Sequence, residues 1–221
     1  MKEQGVAEDP YRRVAGIYDR IFEPVNRNLR LIGLRMFVPR RGAAILDVGC
    51  GTGAHLALYQ RYAGRLAGVD ASVAMLKQAR LRLGREADLR LADAATLPFG
   101  DREFDLVVSM LTLHEMDHPV RTAVLAEIQR VTRADGRILL IDFHPGRSRR
   151  LKGWATKLLI LAAEVSAGRR HFRNYRHFLR IGGLPALIGG THLTSDKLRV
   201  VGGDTMDLLL CRRAVDEAIS A

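Results

Sequence analysis

Ile45-Leu46-Asp47-Val48-Gly49-Cys50-Gly51-Thr52-Gly53 is the stretch from which the rest of the chain is read. A short apolar run ends in an acid, and three glycines follow on alternate positions. Apolar residues then recur from Ala54 at helical spacing (Leu56, Leu58, Tyr59, Tyr62). The pattern predicts strand, glycine turn and helix, because glycine is wanted where backbone bends sharply or a ligand comes close. Gly49 to Ala54 also satisfies G-x-G-x-x-G/A, the dinucleotide fingerprint, so the turn alone allows more than one cofactor.

Working outward, strands and helices alternate. Ala44–Val48, Leu66–Asp70, Leu89–Leu91, Phe104–Met110 and Arg137–Phe143 read as five strands, with helices over 71–83 and 120–132 and a turn at Asp135-Gly136. This rhythm argues for a parallel sheet covered on both faces. Residues 147–190 break it with no good strand. Lys197–Val201 and Thr205–Arg212, joined by Gly202-Gly203-Asp204, read as a closing hairpin. Upstream, residues 11–38 read as one or two helices interrupted at Pro24. A chain of 221 residues, 48% hydrophobic, suits one domain. We assign 1–221 to it, with 11–38 as a helical cap and 147–190 as a helical lid.

Three acids bear on the cofactor class, the second of them shared with nicotinamide-dinucleotide binders. Asp47, two residues before the first glycine, would repel a pyrophosphate and suits a ligand with an ammonium group. Asp70 ends the second strand, where a carboxylate can accept both ribose hydroxyls. Asp93 follows the third strand and is placed to accept the exocyclic amine of adenine, with Leu97-Pro98-Phe99 as a wall for the ring. One acid could be a helix cap or turn residue. Three at successive strand ends point to an adenosine bearing an amino acid.

At these residues the chain resembles the class I S-adenosylmethionine-dependent methyltransferases of the type 11 group, and the ubiquinone/menaquinone C-methyltransferases among them. The matching segments are 14–19, 45–53, 68–72 with Met75, 93–99, 104–116 and 126–137. The resemblance implies a Rossmann-like α/β fold with a seven-stranded sheet in the order 3-2-1-4-5-7-6, the last strand antiparallel. It implies S-adenosyl-L-methionine as cofactor and S-adenosyl-L-homocysteine as product. It assigns the cofactor to Gly49, Cys50, Gly51, Thr52 and Gly53 beside Asp47, to Asp70, Ala71 and Met75, to Asp93 and Ala94, and to Ser109 and Met110. Tyr18 belongs to a Tyr-Asp signature that closes over cofactor or substrate.

Methyl transfer from a sulfonium is in-line displacement of an activated leaving group, so positioning does most of the work and a base is needed only for a protonated acceptor. His114, Glu115, Asp142 and His144 stand after the fourth and fifth strands, where open α/β sheets carry their sites. His114, together with Tyr18, is taken as catalytic. His171 and His177 lie six apart, which is not the i, i+4 ligand spacing, and no metal is expected.

The net charge of +11, from 35 Lys+Arg against 24 Asp+Glu, favours an anionic partner. Trp154, Leu158, Leu159, Phe172, Tyr175 and Phe178 offer the lid an apolar lining among arginines. The expected acceptor is small and lipophilic or amphiphilic, a quinone precursor or phospholipid headgroup, met at an anionic membrane surface. Nucleic acid is not expected, because the Asn/Asp-Pro-Pro-Tyr/Phe motif is missing after the fourth strand. RNA methylation, a nicotinamide-dependent oxidoreductase and a silent cofactor-binding protein are the alternatives. No stretch reaches the 18 consecutive apolar residues of a transmembrane helix, and the polar N-terminus lacks a secretory layout. Two cysteines suit a reducing compartment. The expected location is cytoplasmic, at the inner face of a membrane. Nothing in the sequence sets an oligomeric state.

Overall fold

The computed structural model describes residues 11, 15–16, 18–146, 151–166 and 168–214; for 18–25 and six positions within 151–166 it describes the backbone only. Seven strands form one sheet: β1 (Ala43–Val48), β2 (Ala63–Asp70), β3 (Asp88–Leu91), β4 (Phe104–Met110), β5 (Thr132–Phe143), β6 (Leu193–Val201) and β7 (Met206–Arg213). Their order is β3-β2-β1-β4-β5-β7-β6. β1 to β5 pair in parallel, and β7 runs antiparallel to both β5 and β6. This is the topology the resemblance implies, closed by the hairpin the glycines of 202–203 predict.

Burial explains the parallel strands. Leu106, Val107 and Val108 of β4 and Ile138 to Ile141 of β5 are all buried, on successive positions that point to opposite faces. Helices α1 (Tyr18–Met36), α2 (Val73–Leu83), α3 (His118–Val131), α4 (Leu151–Ser166), α5 (Arg169–Arg180) and α6 (Gly183–Ile188) provide the cover. Ser72 caps α2 by accepting from Met75 N at 3.1 Å, and Asp117 caps α3 by accepting from Val120 N at 3.3 Å. α1 lies close to β5, because a Cβ on Gly33 would come within 2.9 Å of Leu139 Cδ2.

Three local expectations are corrected. α1 is one helix that continues through Pro24. The donor lost there would have bonded residue 20, near the helix start, and the later turns do not depend on it. After the glycine turn there is only a short 3-10 turn, Leu56–Tyr59. Gly53 and β2 leave nine residues between them, too few for a helix and a return. Asp135-Gly136 falls inside β5, where pairing with β4 jumps from Thr132 to Arg137, so the turn survives as an irregularity in the strand.

Candidate active site

The glycine turn is built by hydrogen bonds across β1 and β2. Gly49 N and Cys50 N donate to Val69 O at 2.8 and 3.0 Å, and Gly51 N donates to Asp70 Oδ2 at 2.8 Å. The other oxygen of Asp70 accepts from Ser72 N at 2.8 Å. All three glycines have positive φ, but each serves a different contact. A Cβ on Gly49 would lie 2.4 Å from Thr112 Oγ1, and one on Gly53 would lie 2.8 Å from Leu83 Cδ1 of α2. A Cβ on Gly51 would meet nothing within 4 Å. Gly51 alone faces open space.

That space is a cavity of about 60 Å³ lined by Asn26, Arg30, Asp47, Gly51, His55 and Leu111, among others. Several buried polar atoms around it lack a hydrogen-bond partner: Asp47 Oδ1, both ring nitrogens of His55, and Ser109 Oγ one strand away. Burial pushes the Asp47 carboxyl up to about 7, opposed by Arg30 and assisted by Asp70. Burial, with Arg30, pushes the His55 imidazole down to about 3. A buried group left unsatisfied costs about 1–3 kcal/mol, so these atoms are arranged for a polar ligand.

A second cluster stands on the loop after β4. Leu111 has φ 56, a left-handed conformation that is strained for leucine, and it bonds back to Ile141 O at 2.8 Å. The kink leads into a 3-10 turn, Leu113–Glu115. Arg121, fully buried on α3, holds that turn through Leu113 O (2.7 Å), His114 O (3.1 Å) and Asn174 O of α5 (2.6 Å). Asp142 at the end of β5 sits 2.7 Å from His114 Nδ1 and accepts the His114 backbone N–H at 3.2 Å. The opposite ring nitrogen, Nε2, lies 3.7 Å from Glu164 of α4 and 4.0 Å from Glu115. His171 Nε2 of α5 reaches the other Glu164 oxygen at 2.7 Å, and Tyr11 OH donates to Glu115 at 2.6 Å. Burial would lower the His114 pKa, but Asp142, Glu115 and Glu164 outweigh it and raise it to about 9. Burial raises the Glu115 carboxyl, with His114 pulling the other way.

Comparison with known proteins decides which chemistry this architecture belongs to. Residues 46–140 match the family described as methyltransferase domain. This chain carries a methyltransferase domain. Over these residues it is similar to the S-adenosylmethionine-dependent methyltransferases. It is similar to phosphatidylethanolamine N-methyltransferase of Cereibacter sphaeroides, 36% identical over 137 residues covering 60% of this chain and 65% of that protein. It is also similar to a ubiquinone/menaquinone biosynthesis C-methyltransferase of Burkholderia cenocepacia, 36% identical over 110 residues covering 47% of this chain and 44% of that one. The chain therefore spans less than two thirds of the curated relatives it matches. In fold it is similar to a Pyrococcus horikoshii protein of known structure (TM-score 0.65, 18% identity, covering 94% of this chain and 100% of that one).

The family's cofactor, S-adenosylmethionine, fits the methyltransferase pocket on chemical grounds. Its ammonium matches the orphaned Asp47 Oδ1, and Gly51 leaves room for close approach. Asp47, Gly49, Cys50, Gly51, Thr52 and Met110 line the cavity together. Asp70 touches the turn, while Ala71 is exposed and Met75 is buried in α2. Asp93 is exposed, with its carboxylate closing a turn on Ala95 N at 2.9 Å, beside the half-buried Ala94. The side chain of Tyr18 lies outside the described residues. His144 pairs with Asp207 at 2.8 Å, away from His114.

The lid differs from expectation. Phe172, Tyr175 and Phe178 turn inward on α5, but Trp154 and Leu158 face outward on α4 at 61% and 47% exposure, together with Leu161 and Val165. Leu159 lies outside the described side chains. The inward face of α4 carries Gly153, Lys157, Ile160 and Glu164. The two histidines of α5 also part company, since His177 turns to His118 and Arg121. Sequence reasoning missed Asn26 and Arg30, which lie four apart on one face of α1 but do not stand out among its many other polar residues. It also missed Glu164, a single carboxylate at the end of the apolar run 158–163.

Proposed function

We propose that this methyltransferase moves a methyl group from S-adenosyl-L-methionine to a small lipophilic or amphiphilic acceptor, a quinone precursor or a phospholipid headgroup. The observation that carries the reading is the buried, unpartnered Asp47 oxygen on a residue that lines the same cavity as the open Gly51. Bound there, the cofactor supplies a methyl group on a positively charged sulfur. In this reading Asp47 takes the ammonium group, Gly51 and Cys50 face the methionine part, Asp70 takes the ribose, Asp93 the adenine edge, and Tyr18 closes over the donor. His114, oriented by Asp142, presents Nε2 to the acceptor. The cavity of about 60 Å³ has room for about two waters, so Asn26 and Arg30 of α1 must withdraw before a nucleoside enters. The relatives support an acceptor of this kind, since one is named for phosphatidylethanolamine and another for quinone biosynthesis.

An anionic membrane surface as partner, met from the cytoplasmic side, is supported by α4 and α5. The exposed stripe Trp154, Leu158, Leu161 and Val165 sits beside a helix bearing exposed Arg169, Arg170, Arg173, Arg176 and Arg180. Apolar residues flanked by arginines suit an interfacial helix, and none of the described helices is long and apolar enough to cross a membrane. Calorimetry with S-adenosylhomocysteine and NADH tests the cofactor. Binding of the first and not the second is expected, and the reverse overturns the reading. Transfer of label from the methyl donor into lipid and quinone extracts tests the acceptor; transfer only into RNA overturns that part.

A further inference from the structure

We propose that His114, Glu115, Glu164 and His171 hold a divalent transition-metal ion beside the methyl-donor pocket. His114 Nε2, a Glu115 oxygen and a His171 nitrogen all lie within 4.8 Å of one another. Glu164 reaches between the two rings, 3.7 Å from His114 and 2.7 Å from His171. Two donors on one ion at about 2.1 Å stand about 3.0–3.6 Å apart when adjacent, so small side-chain shifts bring His114, Glu115 and His171 onto one centre, and Glu164, outside that 4.8 Å group, joins by a larger swing.

Three further observations point to an ion rather than to a closed hydrogen-bond network. The Glu164 oxygen nearest His171 has no aligned hydrogen bond despite its proximity, as expected if both atoms aim at a third centre. Asp142 occupies His114 Nδ1, which fixes the ring with Nε2 toward the cluster, in the carboxylate–imidazole–metal arrangement of metalloenzymes. α4 turns its one carboxylate inward, toward both imidazoles. Phe143 packs edge-on against His114 at 4.6 Å, and Tyr175 and Phe178 lie close by, giving the donors an apolar surround. His171 and Glu115 keep some exposure, 18% and 31%, which gives an ion a way in. Two imidazoles and two carboxylates suit Zn²⁺, Mn²⁺ or Co²⁺ better than the all-oxygen preferences of Ca²⁺ or Mg²⁺.

Leu111 lines the donor cavity and His114 is three residues on. If the methyltransferase reading above holds, the ion stands between His114 Nε2 and the acceptor: its remaining position takes an acceptor oxygen and sets it against the donor.

The test is titration of the chelator-stripped protein with Co²⁺, followed by its visible d–d absorption and by calorimetry, with Zn²⁺ as competitor. One equivalent should bind with an imidazole-type spectrum. His114→Ala and His171→Ala should each abolish the spectrum, and Asp142→Asn should weaken affinity about 10–100-fold. Glu164→Gln, which keeps the side chain's shape, should weaken it as well, while His118→Ala should leave it unchanged. No stoichiometric binding, or equal binding by the His114→Ala/His171→Ala double variant, overturns the proposal. S-adenosylhomocysteine binding is measured on the same samples. Cofactor without metal refutes the ion alone, and metal without cofactor refutes the methyltransferase reading while the ion stands.

Discussion

Replacing Asp47 by asparagine tests the cofactor pocket through stability as well as binding. Asp47 is 2% exposed, and burial, with Asp70 assisting and Arg30 opposing, holds its carboxyl at about 7. In the unfolded chain the same group titrates near ~3.9. An acid raised in this way loses its proton first in the unfolded state. Stability is therefore greatest below pH ~4, falls as pH rises toward 7, and levels off above. At about 1.4 kcal/mol per unit, the burden reaches ~1.5 kcal/mol at pH 5 and ~4 kcal/mol at pH 8. His55, also buried at the cavity, is held down to about 3 and stays neutral across this window. Without cofactor, Asp47→Asn should thus gain up to about 2–3 kcal/mol over wild type between pH 5 and pH 8. Urea denaturation at both values reads this as a difference of differences, in which groups common to both proteins cancel. The same variant should bind S-adenosylhomocysteine at least tenfold more weakly at pH 8, because the ammonium loses its counter-charge. In wild type, affinity should tighten as pH rises from 5 to 7. A variant with the wild-type pH profile, or one that binds cofactor equally well, would refute the reasoning.

Other substitutions separate the parts of the site. Gly49→Ala should destabilise the fold by ~2 kcal/mol or more, since its Cβ meets Thr112 in a left-handed conformation, whereas Gly51→Ala, with space around it, should cost about 1 kcal/mol and mainly weaken cofactor binding; denaturation and calorimetry on the two check the contrast. Asp70→Ala should weaken cofactor binding by about 1–3 kcal/mol by calorimetry. Arg121→Met should lower stability by ~3 kcal/mol or more in denaturant, because three buried carbonyls lose their donor. Trp154 is the only tryptophan and is exposed, so its emission should shift to the blue on anionic vesicles and remain unshifted on neutral ones; an identical response to both would remove the membrane claim.

The sheet was legible because its signals are local. Apolar runs such as Phe104–Met110 and Ile138–Ile141 mark strands buried on both faces, and each ends in or near a polar residue at the edge where ligands bind. The acids at 47, 70 and 93 were visible for the same reason, each at or just past the end of a successive strand. The acceptor side was less legible because its members meet from four separate elements. His114 and Asp142 were visible as residues after strands, but their 2.7 Å contact depends on the register of β4 against β5. Glu164 and His171 reach them only through the docking of α4 and α5, which helical spacing does not specify. Spacing also misled at α4. The apolar stripe it marks suggests a lining, whereas the neighbouring face with Lys157 and Glu164 is the one turned inward.

That inversion sets how the lid should respond to its surroundings. A lid sealed by oil-like contacts tightens with added salt and opens with a large change in heat capacity. Among its described side chains, α4 is held by Glu164 against two imidazoles, by Lys157 on the Gly146 carbonyl and by Ile160 on the core, with Trp154, Leu158, Leu161 and Val165 in water. Its opening should carry little heat-capacity change, and ionic strength should loosen it. The polar part of α4's attachment should weaken in brine while the core beneath it grows firmer.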